Sequence, residues 1–384
     1  MIEPLLGLGI LVALFVGYNI GGSTTGPAFG PAVGSGAISK VVAALLMSVF
    51  FFLGAFSLGR RVVETLGTEL VTSTAIFSLE ANVAVLFFIG GALFIGNFFG
   101  VPASTSMTAV GAIAGLGLAA GELDLTVMGR ILAWWIVAPI IAFWVSGVIG
   151  RYFYSRLDRR VALVQTEGPL LELDRSRAVP RPIRGPNTTR REIAGTVVVV
   201  GIGCLMAFSS GTSNIANAIA PLVGSGDLDM NVGIIIGSIA VGVGALTIGR
   251  RTLDTLGSDL TSLPLTASIV VASVSASLVV ILSAIGIPAS FVIIATMSII
   301  GLGWGRATRT TTAGGVRGTE PTGAPSTVQA DGDSRGDDTP EIPQASELFN
   351  PSTTVRVVLM QNLVPVLATV SAYLTFRFVP VFGL

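Results

Sequence analysis

Hydroxyl and amide side chains gather at four places in the chain: Ser23 and Thr24; Ser104, Thr105 and Ser106; Ser213, Asn214 and Asn217; and Ser290. Each group sits beside Gly or Pro in a stretch poor in large aliphatic residues, at 21–38, 101–120, 211–227 and 287–304. These groups are neutral donors. Together with the free backbone N–H groups at a helix start they supply what a bound oxyanion requires: several N–H and O–H donors and the positive end of a helix dipole. Other chemistries lack their residues. There is no histidine, so imidazole proton relay and the commonest metal ligand are both missing. Cys204 is alone inside an apolar run, which excludes an internal disulfide and makes it a small core residue. No acid pair, serine-base constellation or His/Cys cluster appears, and Gly242-Val-Gly-Ala-Leu-Thr247 has no strand before it to form a phosphate-binding turn. An enzyme, a cofactor and a metal centre are therefore not expected, and there is no aromatic-basic surface for nucleic acid.

The elements that must position these residues are membrane helices. The chain is 51% hydrophobic and only 11% charged, with mean hydropathy +0.81, far below the roughly 25% charged content of soluble domains. Apolar runs at 4–20, 41–58, 80–99, 129–150, 192–210, 229–248, 266–286 and 352–382 approach or exceed the roughly 20 residues a spanning helix needs. The first has no basic residue before it and no Ala-x-Ala exit, so it reads as a retained helix. Residues 151–191 carry ten arginines against four acids, which makes this linker cytoplasmic by the positive-inside rule. Residues 305–350, rich in Thr, Gly, Pro and Asp, have almost nothing to bury and read as a disordered loop. The four small-residue segments are expected to be re-entrant or discontinuous, since irregular backbone at membrane depth survives only where protein or a water-filled cavity covers it.

The chain also repeats itself. Gly59-Arg-Arg-Val-Val-Glu-Thr-Leu-Gly-Thr-Glu-Leu70 returns 190 positions later as Gly249-Arg-Arg-Thr-Leu-Asp-Thr-Leu-Gly-Ser-Asp-Leu260, and the same offset maps Pro31-Ala-Val-Gly-Ser-Gly36 onto Pro221-Leu-Val-Gly-Ser-Gly226. An offset of 186 maps Gly100-Val-Pro-Ala-Ser104 onto Gly286-Ile-Pro-Ala-Ser290. The fold class is thus all-α and polytopic, with a first repeat at 1–150, a linker at 151–191 and a second repeat at 192–384. Small residues alone often serve only to let helices approach. Here the clusters recur in equivalent places of both halves, where the substrate of a duplicated transporter binds. Arg60, Arg61, Arg250 and Arg251 read as interfacial anchors, with Glu64 and Asp254 one turn away as ion-pair partners, and Trp134 and Trp135 read as interface or packing residues.

These segments resemble the inorganic phosphate transporter family. Tyr18-Asn-Ile-Gly-Gly-Ser-Thr-Thr-Gly-Pro-Ala-Phe-Gly-Pro-Ala-Val-Gly-Ser35 is similar to its first signature, N-I-G-A-N-D-V-A-N-A-F-G-T-x-V-G-S, and Phe208-Ser-Ser-Gly-Thr-Ser-Asn-Ile-Ala-Asn-Ala-Ile-Ala-Pro221 to its second. Gly100-Val-Pro-Ala-Ser-Thr-Ser-Met107 and Gly286-Ile-Pro-Ala-Ser290 look like its G-x-P-x-S-T-T-H hairpin starts. The resemblance implies inverted repeats, whereas counting four long spans per half gives parallel ones. Inversion therefore requires one small-residue segment per half, 102–120 and its partner, to cross as a full span, and it puts Gly59 and Gly249 on opposite faces.

The departures carry the substrate expectation. The family's Asn-Asp pair falls on Ser23 and Thr24 in the first half and on Ser213 and Asn214 in the second; its second Asn becomes Pro27, and only Asn217 is kept. Both aspartates are gone. In the family those groups are associated with phosphate and the coupling cation. Hydrogen phosphate can donate to a carboxylate, but sulfate has no donor, and a carboxylate facing it would cost several kcal/mol in a dehydrated site. The chain is most similar to the sulfate permease branch, with Gly34-Ser-Gly-Ala-Ile38 and Pro102-Ala-Ser-Thr-Ser106 matching that branch. Sulfate uptake by alternating access is expected, with a cation-coupled phosphate symporter and an anion channel as alternatives. A coupling proton or sodium ion and membrane lipids are the other expected partners, and a homodimer stays open. Restoring the acids through Ser23→Asn, Thr24→Asp and Asn214→Asp is expected to shift uptake toward phosphate or add sodium dependence; unchanged anion preference in vesicles places selectivity elsewhere.

Overall fold

The computed structural model describes residues 4–34, 36–98, 104–161, 171–174, 181–184, 189–250, 253, 265–313 and 351–379, and the structural statements below concern these. Helix α1 is Pro4–Gly34, and α2 is Lys40–Gly54, which continues through a π turn into α3, Arg60–Glu64. Helices α4 (Leu79–Phe98), α5 (Thr105–Ala120) and α6 (Leu125–Val148) follow, and α6 runs on through a π turn into α7, Tyr154–Val161. A short antiparallel hairpin, β1 (Leu171–Asp174) with β2 (Arg181–Arg184), pairs Leu171 with Arg184. The second half comprises α8 (Arg190–Gly224), α9 (Met230–Leu246), α10 (Leu265–Ala284), α11 (Phe291–Ala313) and α12 (Pro351–Phe378). All eight apolar runs lie on helices. Seven described helical stretches are long and apolar enough to cross a membrane, while Thr105–Ala120 and Met230–Leu246 are shorter.

Local sequence explains the helix starts. Ser39, Ser104, Asp124 and Asp229 accept hydrogen bonds from the first-turn amides of α2, α5, α6 and α9, and Thr189 with Glu192 forms a capping box on α8. Gly121, at φ 74°, ends α5 in the left-handed region.

Several expectations need correction. Segments 21–38 and 211–227 are not broken: α1 and α8 carry the preceding apolar runs through them as continuous helix to Gly34 and Gly224. Pro27 and Pro31 lie inside α1, and one turn before them Ser23 and Thr24 donate to the Ile20 carbonyl and Thr25 to that of Gly21. Segment 287–304 is no poor span, since Phe291–Thr308 is apolar enough to cross. The proposed 305–350 loop begins too early, because α11 extends to Ala313; residues 314–350 lie outside the described set. The linker is structured at its edges, by α7 and by the start of α8. Arg60 does not pair with Glu64; it donates to the Phe56 carbonyl and to Asn231. Arg251 and Asp254 lie outside the described residues.

Glycine sets the packing between halves. A β-carbon at Gly54 would run into the Phe208 carbonyl, and one at Gly244 into that of Tyr18; Gly21 meets Val241 in the same way and Gly211 meets Phe51. In each pair both residues shift by the same 190 positions while the halves exchange roles, which is the reciprocity a two-fold relation produces. The axis direction follows from α1 and α8. Gly9 faces Leu222, and Gly203 faces Ala28 and Phe29, so these equivalent helices run antiparallel. Each is the first helix of its described half, so the two halves are oppositely directed. Hence the loops following α1 and α8 are expected at opposite membrane faces. Single cysteines at Ser39 and Asp229, both exposed, in a Cys204→Ser background should label with a membrane-impermeant thiol reagent from opposite sides; labelling from one side overturns the arrangement.

Candidate functional site

Two helical hairpins enter the bundle from opposite ends. At the end of α8 where Ser225 lies, Asn82 near the start of α4 donates to Ser225, and Glu122, just after α5, accepts from the amide of Thr72. Gly67, five residues before Thr72, packs on Gly224, so α4 leaves this end and α5 returns to it. At the opposite end, Thr266 at the start of α10 donates to Asp158 of α7 at 2.8 Å. Helix α11 runs parallel to α6, with Gly301 against Phe143 and Gly305 against Gly147, and so returns to that end. Sequence reasoning expected broken backbone in all four segments: α1 and α8 are unbroken, whereas α5 starts at the Ser104 cap and helix is interrupted between Ala284 and Phe291.

The first turn of α5 and the turn before α11 meet beside α8. Ser106 Oγ donates to the Ala289 carbonyl at 3.1 Å, and Ser213 Oγ both donates to that carbonyl at 3.0 Å and accepts from the Ala289 amide at 3.1 Å. Ser106 and Ser213 lie 3.2 Å apart. Asn214 Oδ1 accepts from Thr105 Oγ1 at 2.6 Å and from Asn217 Nδ2 at 3.1 Å, with Ser106 Oγ at 3.4 Å. These side chains are buried, Ser106 and Asn217 completely. Residues separated by more than a hundred positions therefore form one polar cluster inside an apolar bundle, where each missing partner would be costly.

A pocket opens against this cluster. It is lined by Ser23, Thr24, Pro27 and Ala28 of α1; Met206, Ser210 and Asn214 of α8; Ser104 and Thr105; and Ser290, Phe291 and Val292. Six of the predicted residues line it: Ser23, Thr24, Ser104, Thr105, Asn214 and Ser290. The other three, Ser106, Ser213 and Asn217, stand behind and hold the first set. The pocket takes in the first residues of both α5 and α11, so two helix N-termini converge on one space. No charged side chain lines it.

The hydroxyls differ in what they offer. Ser23 and Thr24 spend their protons on the Ile20 carbonyl at 3.1 and 2.7 Å, and Thr105 spends its own on Asn214. Ser104 Oγ accepts from the Met107 amide, and Ser290 Oγ is buried with no partner, so neither proton is taken by an acceptor among the described residues. Ser210 was missed by sequence reasoning, because it precedes the Gly211 that begins the small-residue segment. Its one-turn spacing before Asn214 on a helix face was the available signal.

Trp135, read as an interface or packing residue, and Arg61, read as an interfacial anchor, also support the second hairpin turn. Trp135 Nε1 donates to the Pro288 carbonyl at 2.7 Å, and Arg61 donates to the Ala284 carbonyl at the end of α10 at 2.6 Å. Both satisfy carbonyls that the helix break leaves open.

Opposed hairpins whose helix starts share a donor-lined, uncharged pocket within a multi-helix bundle define a multi-pass transporter of the cell membrane. The model of the phosphate transporter family matches residues 20–319, and the chain belongs to that family. It is 34% identical to the sulfate permease CysP of Bacillus subtilis (strain 168) over 298 residues, 77% of this chain and 76% of that protein. It is 24% identical to a putative phosphate permease of Chlamydia pneumoniae over 80% of this chain and 91% of that one. Its fold matches a structure described as the sodium-dependent phosphate transporter with a TM-score of 0.67 at 16% identity, covering 98% of this chain and all of the other.

The Trp135 contact yields a test of the turn. Trp135→Phe keeps an aromatic ring but removes the N–H from the Pro288 carbonyl, so a stability loss of about 1–2 kcal/mol is expected in thermal unfolding, with anion uptake reduced more than protein yield. Wild-type uptake at normal yield means that the bond does not position the turn.

Proposed function

We propose that the protein is a secondary transporter that takes up sulfate by alternating access through the pocket between its two hairpin turns. One observation carries this reading: the pocket combines two helix N-termini with free hydroxyls and contains no carboxylate. A tetrahedral dianion accepts many hydrogen bonds, and each charge-assisted one is worth about 1.5–3 kcal/mol. A fully ionised anion has nothing to donate, so an acid in the wall would be left facing it unpaired. The resemblance to a protein named as a sulfate permease supports the same choice.

In this reading the anion is held by Ser104, Ser290 and the first-turn amides of α5 and α11. Ser23 and Thr24 of α1 close the opposite wall, turning their hydroxyls to the anion when it binds. Thr105, Ser106, Ser213, Asn214 and Asn217 hold these groups in place, since their protons are already used within the cluster. The opposed repeats give the motion its form: the halves exchange conformations and the pocket changes face.

Cation-coupled phosphate transport is the second reading. It is favoured by the fold match to a sodium-dependent phosphate transporter and by the putative phosphate permeases among the relatives. A channel would dissipate a gradient without exchanging labelled for unlabelled anion, so counterflow separates it from a carrier.

Proteoliposomes containing the purified protein are expected to accumulate labelled sulfate, to show counterflow, and to take up phosphate poorly. Ser104→Ala and Ser290→Ala should each lower uptake about tenfold or more, as the loss of one charge-assisted hydrogen bond implies. Ser57→Ala, whose hydroxyl bonds only the Leu53 and Gly54 carbonyls of its own helical stretch, should behave as wild type. Phosphate uptake that excess sulfate leaves untouched reverses the order of the two readings.

A further inference from the structure

Ser210 lines the pocket from α8 and is only 8% exposed. The direction of its proton is fixed by its neighbours. Asn214 Oδ1 already accepts from Thr105 at 2.6 Å and from Asn217 at 3.1 Å, which fills its two lone-pair positions. Its amide is thereby oriented, and Nδ2 points the other way and donates to Ser210 Oγ at 3.0 Å. Ser210 is therefore an acceptor on its protein side. Among the described residues no acceptor takes its own O–H, so that proton is left for the pocket.

We propose that Ser210 is a specificity-determining residue: it presents an O–H donor to the transported oxyanion, and Asn214 imposes that polarity and so biases the pocket toward fully deprotonated anions. The proposal rests on the anion-transporter reading above. An aspartate at 214 has nearly the same shape but no N–H. Thr105 and Asn217 would still donate to one carboxylate oxygen, while the other would become an acceptor facing Ser210. The Ser210 proton would turn to it, because a hydrogen bond to a charged acceptor is the stronger one. Ser210 would then show the pocket a lone pair. Sulfate and selenate have no proton to use it, whereas hydrogen phosphate, which carries a P–OH near pH 7, does. One amide-for-acid exchange at Asn214, beside Ser210 in the pocket wall, thus reverses a neighbouring donor without any change in Ser210 itself.

The test uses the full chain in proteoliposomes, with uptake of labelled sulfate or phosphate at pH 7 and competition by sulfate, selenate and phosphate. Ser210→Ala is expected to raise the KM for sulfate about tenfold, the loss of one charge-assisted hydrogen bond. Asn214→Asp should shift the ratio of inhibition constants toward phosphate by a similar factor, with selenate following sulfate. Adding Ser210→Ala to Asn214→Asp should cost sulfate nothing further, because the donor has already turned away. A wild-type KM and anion ratio in Ser210→Ala overturns the proposal, and so do additive effects in the double variant. If Asn214→Asp does not reach the membrane, the KM and anion ratio of Ser210→Ala decide alone. Wild-type protein that takes phosphate ahead of sulfate defeats the sulfate reading, and Ser210 is then judged on the KM of whichever anion is carried.

Discussion

The peptide of Ala289 is the point on which the site depends. Helix cannot continue from α10 to α11 through Ile287-Pro-Ala-Ser290, so the N–H and C=O of Ala289 lose their helical partners deep in an apolar bundle, where each unpaired group costs several kcal/mol. Ser213 supplies a donor to one and an acceptor to the other, and Ser106 adds a second donor to the carbonyl. The break in one half is thus stabilised by the first turn of a hairpin from the other half and by the middle of α8. With those bonds made, α11 begins where it does and its open amides face the pocket.

Close helix contact is the condition for that meeting. Glycines on α1, α2, α8 and α9 leave no room for a side chain against facing carbonyls, and in a bilayer such packing takes the place of hydrophobic drive between helices. The contacts join the first helix of each half to the second helix of the other, so neither half closes alone. Because α1 and α8 run antiparallel, the hairpins insert from opposite ends, and the start of α5 meets the turn before α11 beside α8. A single pocket then sees the positive ends of two helices, which a parallel arrangement of the same helices would point in one direction.

An anion site without cations has a consequence for transport. Arginine or lysine in the wall would bind sulfate or phosphate tightly and would carry a large desolvation cost when the pocket empties. Helix ends and hydroxyls give a partial positive field distributed over several groups, which matches a carrier that must release what it binds. The Arg60 and Arg61 side chains lie outside the pocket: Arg60 reaches Asn231, and Arg61 closes the end of α10.

The sequence by itself determined the class of molecule, the duplicated halves and the residue types of the site. Low charge, eight apolar runs and a 190-residue repeat are one-dimensional signals, and so are the Ser-Thr and Ser-Asn clusters beside Gly and Pro. It could not tell a broken helix from an unbroken one. Residues 21–34 and 211–224 look as irregular as 101–104 and 287–290, and they stay helical because their hydroxyls bond their own carbonyls and their glycines pack on neighbouring backbone, both properties of the assembled bundle. Composition likewise drew the 305–350 boundary too early, since α11 carries polar residues on to Ala313. Only the tertiary structure separated the predicted donors into those that face the pocket, Ser104 and Ser290 among them, and those that hold them there, such as Ser106, Ser213 and Asn217. It also added Ser210. A hydroxyl's role depends on which partner lies within hydrogen-bond reach: Ser213 and Ser106 donate to a carbonyl 76 and 183 positions away, and Ser210 accepts from an amide one turn along its own helix.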